Sequence, residues 1–488
     1  MSIEKTLHKE SHEKNNYQKN TIAWETVKKF DFNTPLTDYG FVTRLADENK
    51  WTKNFTEKAI LEYKKFMYLA ATAGTMVSPS EIVDVVWHQH LIFTESYNEF
   101  CTLLGKNIQH IPSTHNKAEF EKFKTAKDNT TKLYNEKFGK QPKDIWEAHS
   151  MYAPLNLKPS STALDKIGVI GTVVSIIALV PIHFMLQPFY AVLDGMSFFI
   201  FYIPLVVFSM LALRFFSSMY LKNMLKKWSK DSFVYDLDIA EVIYLQKGSK
   251  NNVIHNAVNK LVKDGVVLID SDNKLSLGQN PNPKTVEEFV IIDNLRQLEK
   301  TESNVYYPAL LKSILNKEVF RNTYQAMDEL IEKVKTSAAF TKLFTIHFIV
   351  LATILIIGTV RLSMGISNGR PSLFIGIFLA ITFVISIFHL AGLSKKIARS
   401  IIPNHYQKTI LPEKYGKSIS REKTHDWSYI YIDSAVFDSS FTPLVGYTEK
   451  NSSSYSSNGG GSCGSSCGSS CGSSCGSGCG GGCGGCGG

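Results

Sequence analysis

Residues 167–186 read IGVIGTVVSIIALVPIHFML, and no Asp, Glu, Lys or Arg interrupts the run. Crossing the hydrocarbon of a bilayer takes about 20 such residues in a helix. Working outward, three more stretches pass the same test, at 196–213, 343–360 and 372–393. All are built of Ile, Val, Leu and Phe, with Gly, Ala and Ser of the kind that lets helices pack closely in lipid. The chain therefore reads as a multi-domain membrane protein with four transmembrane helices. Pro181 and Pro204 fall inside the first two and are expected to kink them.

Orientation follows from Lys and Arg at the helix ends. Lys158 and Lys166 precede the first span, Arg214, Lys222, Lys226, Lys227 and Lys230 follow the second, Lys333, Lys335 and Lys342 precede the third, and Lys395, Lys396 and Arg399 follow the fourth. This alternation predicts a multi-pass protein of the cell membrane with both termini and the long middle loop in the cytoplasm. Arg361 and Arg370, assigned to the second outer loop, run against it. The net charge of +9 is explained by this retention at the membrane face rather than by an anionic partner. Residues 1–20 are polar without an apolar h-region, so no secretory signal peptide is expected and the stretch reads as disordered. His183, His347 and His389 lie in or near the spans without a carboxylate, which favours interhelical hydrogen bonding over a proton path.

Residues 21–150 read as an all-α domain. Thr34-Pro35 is expected to begin one helix. Trp51, Phe55, Ala59, Ile60, Tyr63, Phe66, Met67 and Ala70 recur at three- and four-residue steps, the apolar face of a second. Ser78-Pro79-Ser80-Glu81 offers a capping Ser, a Pro at the first helical position and a Glu at the third. The helix it starts runs into Trp87-His88-Gln89-His90. A further amphipathic helix carries Phe120, Phe123, Leu133, Tyr134 and Phe138, and Trp146 closes the domain.

Imidazoles two residues apart lie about 200° apart round an α-helix and cannot share an ion. Should the helix end at Trp87, His88 and His90 could converge, with His110 or Cys101 completing a tetrahedral site for Zn or another soft metal ion. The alternative is a polar core in which one His caps a helix and the other bonds a backbone carbonyl. Asp84-x-x-Trp87-His88-x-His90, then Tyr97, Cys101 and His110-x-Pro112, resembles the signature of the glycine-rich domain-containing proteins, known best from plants. Leu133-Tyr134, Phe138-Gly139 and Ile145-Trp146 fit the same pattern. The resemblance covers residues 34–146 and implies a module without a settled reaction.

Residues 231–340 form a second soluble region. A short helix at 236–245, another from Lys250, and a hairpin through Asp270-Ser271-Asp272-Asn273 give the order of a winged helix, so this cytoplasmic loop domain reads as a small α/β unit. Its second helix offers only His255, Lys260 and Lys263 as basic groups, so no nucleic acid is expected, and a packing role or a cytoplasmic protein partner fits better. Three helical stretches follow at 285–298, 306–315 and 320–334. The layout of residues 163–488, with Asp238-Ile239-Ala240-Glu241-Val242-Ile243-Tyr244-Leu245 opening the loop and a Gly/Cys tail, resembles a family of uncharacterised bacterial membrane proteins.

Residues 394–450 read as a cytoplasmic segment. From 451 to 488 the chain is mostly Gly, Ser and Cys with no charge, a composition that cannot bury a core and is expected to be a disordered tail. Cys463, Cys467, Cys471, Cys475, Cys479, Cys483 and Cys486 would stay reduced in the cytoplasm and could wrap a soft metal ion, be oxidised or acylated, or simply be carried by a spacer. The expected function is a non-catalytic, membrane-tethered binding or sensory scaffold responsive to metal or redox state. The alternatives are an accessory component of a transporter whose tail captures metal, and a metal-dependent enzyme using His88, His90 and His110 with Asp84 or Glu81 as acid or base.

Overall fold

The computed structural model describes residues 23–111, 119–415 and 437–456. The chain divides into two compact units, residues 1–151 with 450–488, and residues 152–449. The described part is mostly helical.

The N-terminal unit is built from α1 (Trp24–Lys29), α2 (Phe41–Asn49), α3 (Lys53–Thr72), α4 (Glu81–Ile92), α5 (Thr94–Leu103), α6 (Phe120–Phe138) and α7 (Lys143–Trp146). The apolar face of α3 is buried along its whole length, from Phe55 to Ala70. Thr34-Pro35 begins no helix; it lies in the irregular segment before Phe41. The cap of α4 also differs from expectation. Ser80 is the capping residue, accepting from the Val83 N–H at 3.2 Å. Ser78 is engaged elsewhere: its N–H and C=O both meet the Thr130 hydroxyl of α6, at 2.8 and 3.1 Å. Pro79 therefore stands before the cap. In α6 the buried stripe is Ala126, Thr130 and Tyr134, while Phe120 is exposed.

A buried carboxylate joins three of these helices. Glu62 of α3 accepts from Lys65 Nζ, from the Tyr134 hydroxyl of α6 and from Trp146 Nε1 of α7, each at 2.7 Å. A buried charge is tolerable only when paired in this way. Burial and the Glu62 carboxylate push the Tyr134 phenol well up, so it stays a donor.

In the second unit four helices are long and apolar enough to cross a membrane. They are α8 (Leu164–Val192), α9 (Gly195–Lys226), α15 (Ala338–Ser367) and α16 (Leu373–Lys396). Helical structure continues through Pro181, Pro188 and Pro204. Two glycines allow close approach: a Cβ at Gly171 would collide with the Phe348 ring, and one at Gly358 with the Tyr202 hydroxyl. Arg361 is part of α15 rather than of a loop. Its guanidinium donates to the carbonyls of Tyr190 and Leu193 at 3.0 and 2.9 Å, where α8 runs out of backbone partners.

Between α9 and α15 lie α10 (Ile239–Lys247), α11 (Lys250–Lys263), β1 (Val267–Ile269), β2 (Lys274–Leu277), α12 (Val286–Thr301), β3 (Val305–Tyr306), α13 (Tyr307–Ile314) and α14 (Glu318–Lys335). Asp238 and Glu241 form a capping box on α10. The expected hairpin is present, with Val267 opposite Leu277, and β3 adds a third antiparallel strand against β2 that the hydrophobic pattern did not disclose. At two residues β3 is too short to show a period. Winged-helix likeness extends only to the helix, helix, hairpin order. Beyond α16, wide π-type turns at Ile397–Ile401 and Tyr406–Ile410 carry the chain to Tyr415, with Tyr406 donating to the Val234 carbonyl at 3.0 Å.

His255 of α11 is buried, bonded through Nδ1 to the Tyr307 hydroxyl, and Phe441 packs edge-on against Tyr307. Burial pushes its imidazole down to about 4.

Two outcomes follow from this packing. Glu62→Ala should cost roughly 3 kcal/mol by stranding its donors, measured as a fall in the denaturant midpoint of the full chain in detergent. An unfolded imidazole titrates near 6.5 and the folded His255 near 4. Between these values the unfolded chain binds more protons, so stability complete above about pH 6.5 is lost as pH falls, by up to about 3 kcal/mol. Hydrogen-exchange protection of α11 and α13, corrected for intrinsic rates, should drop from about pH 7 to pH 4.5, and His255→Gln should flatten the drop.

Candidate metal centre

The helix α4 has two faces of different kind. Ile82, Val83, Val86, Trp87 and His90 are buried, whereas Asp84 and His88, one turn apart, share a partly open face. Trp87 organises the segment that crosses it. Its Nε1–H donates to the Tyr97 hydroxyl at 3.2 Å, and that hydroxyl donates to the Ile108 carbonyl. This relay from α4 through α5 holds the chain after Leu104 against the helix, and His110 lands edge-on to the Trp87 ring, 4.5 Å between centroids.

His110 Nε2 then lies 3.1 Å from Asp84 Oδ1, and His88 Nδ1 lies 3.3 Å from Asp84 Oδ2. His88 Nδ1 also sits 2.9 Å from the Asp84 carbonyl oxygen. The two imidazoles are 4.4 Å apart, and one donor atom from each of the three residues falls within 4.8 Å of the others. Burial works to raise the Asp84 carboxyl, but hydrogen bonds from His110 and His88 outweigh it and hold the group below its ordinary range. The Asp84 hydrogen bond in turn raises His88.

Nitrogen and oxygen ligands 2.0–2.2 Å from a tetrahedral ion stand about 3.3 Å apart. The two His–Asp separations lie near that spacing, each to a different carboxylate oxygen, and Asp84, His88 and His110 are the residues that would hold an ion here. Three protein ligands would leave a fourth position free. His110 and Asp84 are mostly covered, at 10% and 18% side-chain exposure, while His88 at 56% opens the site to solvent.

The helix does not end at Trp87 but runs on to Ile92, so His90 points away from His88. Its Nδ1 bonds the Tyr63 hydroxyl at 2.8 Å and its Nε2 the Ser96 hydroxyl at 3.2 Å. Phe32, Phe41 and Phe100 close round the ring, and burial pushes it down to about 3, so it is a neutral part of the core. Cys101 is buried on α5 and does not join the trio. Cys463, Cys467, Cys471, Cys475, Cys479, Cys483 and Cys486 lie outside the described residues. Asp84 is the member of this trio that reading by His and Cys overlooked. Its i,i+4 spacing to His88 is the signal that marks it.

His90→Ala is expected to destabilise the N-terminal unit by about 3 kcal/mol, through loss of both hydrogen bonds of the imidazole and a cavity among aromatic rings. His88→Ala should change stability by less than about 1 kcal/mol. Denaturant midpoints of the two variants, each in the full chain, make the comparison.

Residues 25–132 match the model of a family described as UCP032817-like. Glycine-rich domain-containing protein 2 of Arabidopsis thaliana is 27% identical over 115 residues, which cover 22% of this chain. The chain spans 14% of the length of that relative. No solved structure matches. Both likenesses fall on the N-terminal unit, so the part of this protein similar to UCP032817-like and glycine-rich domain-containing proteins is the part that carries Asp84, His88 and His110.

Proposed function

We propose that the protein is a membrane-anchored binding scaffold whose N-terminal helical module holds a divalent transition-metal ion between Asp84, His88 and His110. The observation that carries this reading is the convergence of three ligand atoms, one from each residue, within 4.8 Å of one another on a partly open surface. Two nitrogens and one carboxylate oxygen suit Zn²⁺ and its neighbours rather than Ca²⁺ or Mg²⁺. The scaffold faces the cytoplasm with both termini, as the Lys and Arg at the helix ends favour. Arg361 and Arg370 stay at the ends this orientation puts outside, and Arg361 is engaged there in capping α8. The reduced tail thiols and the metal site then share one compartment, and the small α/β loop unit offers a face for a cytoplasmic protein partner. The likeness of residues 163–488 to bacterial membrane proteins rests on layout and adds no activity.

A second reading is favoured by one feature. A three-ligand site with an open position is the coordination of catalytic rather than structural zinc, so a metal-bound water could serve as nucleophile. An exporter role finds less support, since Tyr190, Tyr202, His347 and Arg361 of the bundle are turned onto backbone carbonyls.

Full-length protein in detergent, its tail thiols blocked with N-ethylmaleimide, should bind one Co²⁺ with d–d bands and without thiolate charge-transfer bands. Asp84→Ala and His110→Ala should each weaken binding at least about a hundredfold. Substoichiometric metal in the blocked protein, or equal affinity in both variants, would discard the site.

A further inference from the structure

The ends of α9 and α16 that adjoin the loop unit carry a cluster of positive groups set out differently from a solvated membrane face. Counted at 1.5 Å per residue, the uncharged run 196–213 is about 27 Å long and 372–393 about 33 Å. Arg214 and Lys396 therefore stand at the boundary of a hydrocarbon core about 30 Å thick, the depth at which lipid phosphates lie.

Lysines at such a boundary ordinarily extend toward water. Lys396 instead turns inward. Its ammonium donates to the Arg214 carbonyl and to the Ser217 hydroxyl, both at 2.7 Å. One residue earlier on α9, the Leu213 carbonyl meets His347 Nε2 of α15 at 3.2 Å. His347 stacks on His389 of α16, ring centroids 5.4 Å apart and planes 18° from parallel. Adjacent carbonyls of one helix are thus tied by side chains from two others, and the three helices meet round a polar junction. The charges of Lys396 and Arg214 both reach the His389 ring, and those of Arg214 and Lys222 reach Lys396.

Two side chains at this junction make no hydrogen bond within the fold. His389 Nε2 is buried without a partner, and the Arg214 guanidinium makes no hydrogen bond or ion pair, among the described residues. No carboxylate among them pairs with Lys396 either. Cations held together at the edge of a low-dielectric slab, with donors left over, call for an anion of matching chemistry. Basic pockets between helices at this level suit phosphate headgroups.

We infer that Arg214 and Lys396 form a binding site for the phosphate of a net-negative phospholipid, seated where α9, α15 and α16 meet, with His389 stacked on His347 behind it. The exposed Arg214 guanidinium supplies the free donors. Lys396 supplies charge while pinning α16 to α9, so the bound lipid and the helix junction stabilise each other. The apolar tails lie along the bundle surface, in the bilayer. The site is independent of the metal centre, which belongs to the other unit.

The test uses the full-length protein in a neutral detergent. It is titrated in turn with phosphatidylglycerol, with phosphatidylcholine of the same chains, and with inorganic phosphate, bound lipid being counted by native mass spectrometry alongside the melting midpoint. The expected result is one saturable phosphatidylglycerol, at least tenfold tighter than phosphatidylcholine. Arg214→Gln and Lys396→Gln should each weaken it about fivefold, and Lys230→Gln, on the chain beyond α9, should leave it unchanged. Inorganic phosphate that displaces the lipid with the same dependence on Arg214 identifies the anion site and makes its source aqueous. Arg214→Gln is the decisive variant, because that side chain has no bond in the fold to lose. Phosphatidylglycerol and phosphatidylcholine bound alike, or phosphatidylglycerol affinity equal in the wild type and Arg214→Gln, would overturn the proposal.

Discussion

Hydrocarbon offers no partner to a polar group, and the arrangement of the bundle follows from that constraint. Lipid tails are as apolar as Leu, so burial of apolar area does little to choose among helix pairings there. Direction comes from the polar groups. Tyr190 of α8 donates to the Ile357 carbonyl, Tyr202 of α9 to that of Ile354, and Arg361 of α15 back to α8. Each bond joins a side chain of one helix to the backbone of another and sets the register between them. Gly358 provides the room that the Tyr202 hydroxyl needs.

The N-terminal unit obeys the same rule with more elaborate means. Glu62 ties three helices by accepting three donors, and the Trp87, Tyr97, Ile108 relay fastens an irregular segment across α4. His90 is absorbed into this interior with both nitrogens bonded. What remains at the outer face of α4 is the Asp84 carboxylate and the imidazoles of His88 and His110, the last brought there by the crossing segment. The metal reading attaches to Asp84, His88 and His110, which face one another at the surface, and not to the buried histidine beside them, whose two nitrogens are already bonded.

Much of this organisation was legible in the residues. The spans were visible because an uncharged apolar run of lipid-crossing length is rare in a water-soluble fold, and α3 because its apolar residues keep the helical period. The Asp-x-x-Trp-His-x-His pattern holds two members of the grouped trio, and Tyr134 and Trp146, noted only as a pattern, are two of the donors on Glu62. The cap of α4 was misplaced by two residues because Ser78 had a better partner in Thr130, 52 positions away on another helix. No local rule contains such a partner.

Length, hydropathy and charge placement alone determined that the chain has four helices fit to span a membrane, a helical module before them and a mixed unit between them, because each of these depends on neighbours within a few residues. Which histidines meet was decided only by the tertiary structure. His88 and His90 differ by two positions and end on opposite sides of one helix, while His110 arrives beside His88 because Trp87 and Tyr97 hold its segment there. The continuation of α4 past Trp87 rests on packing against α3 and α5, and that energy is non-local.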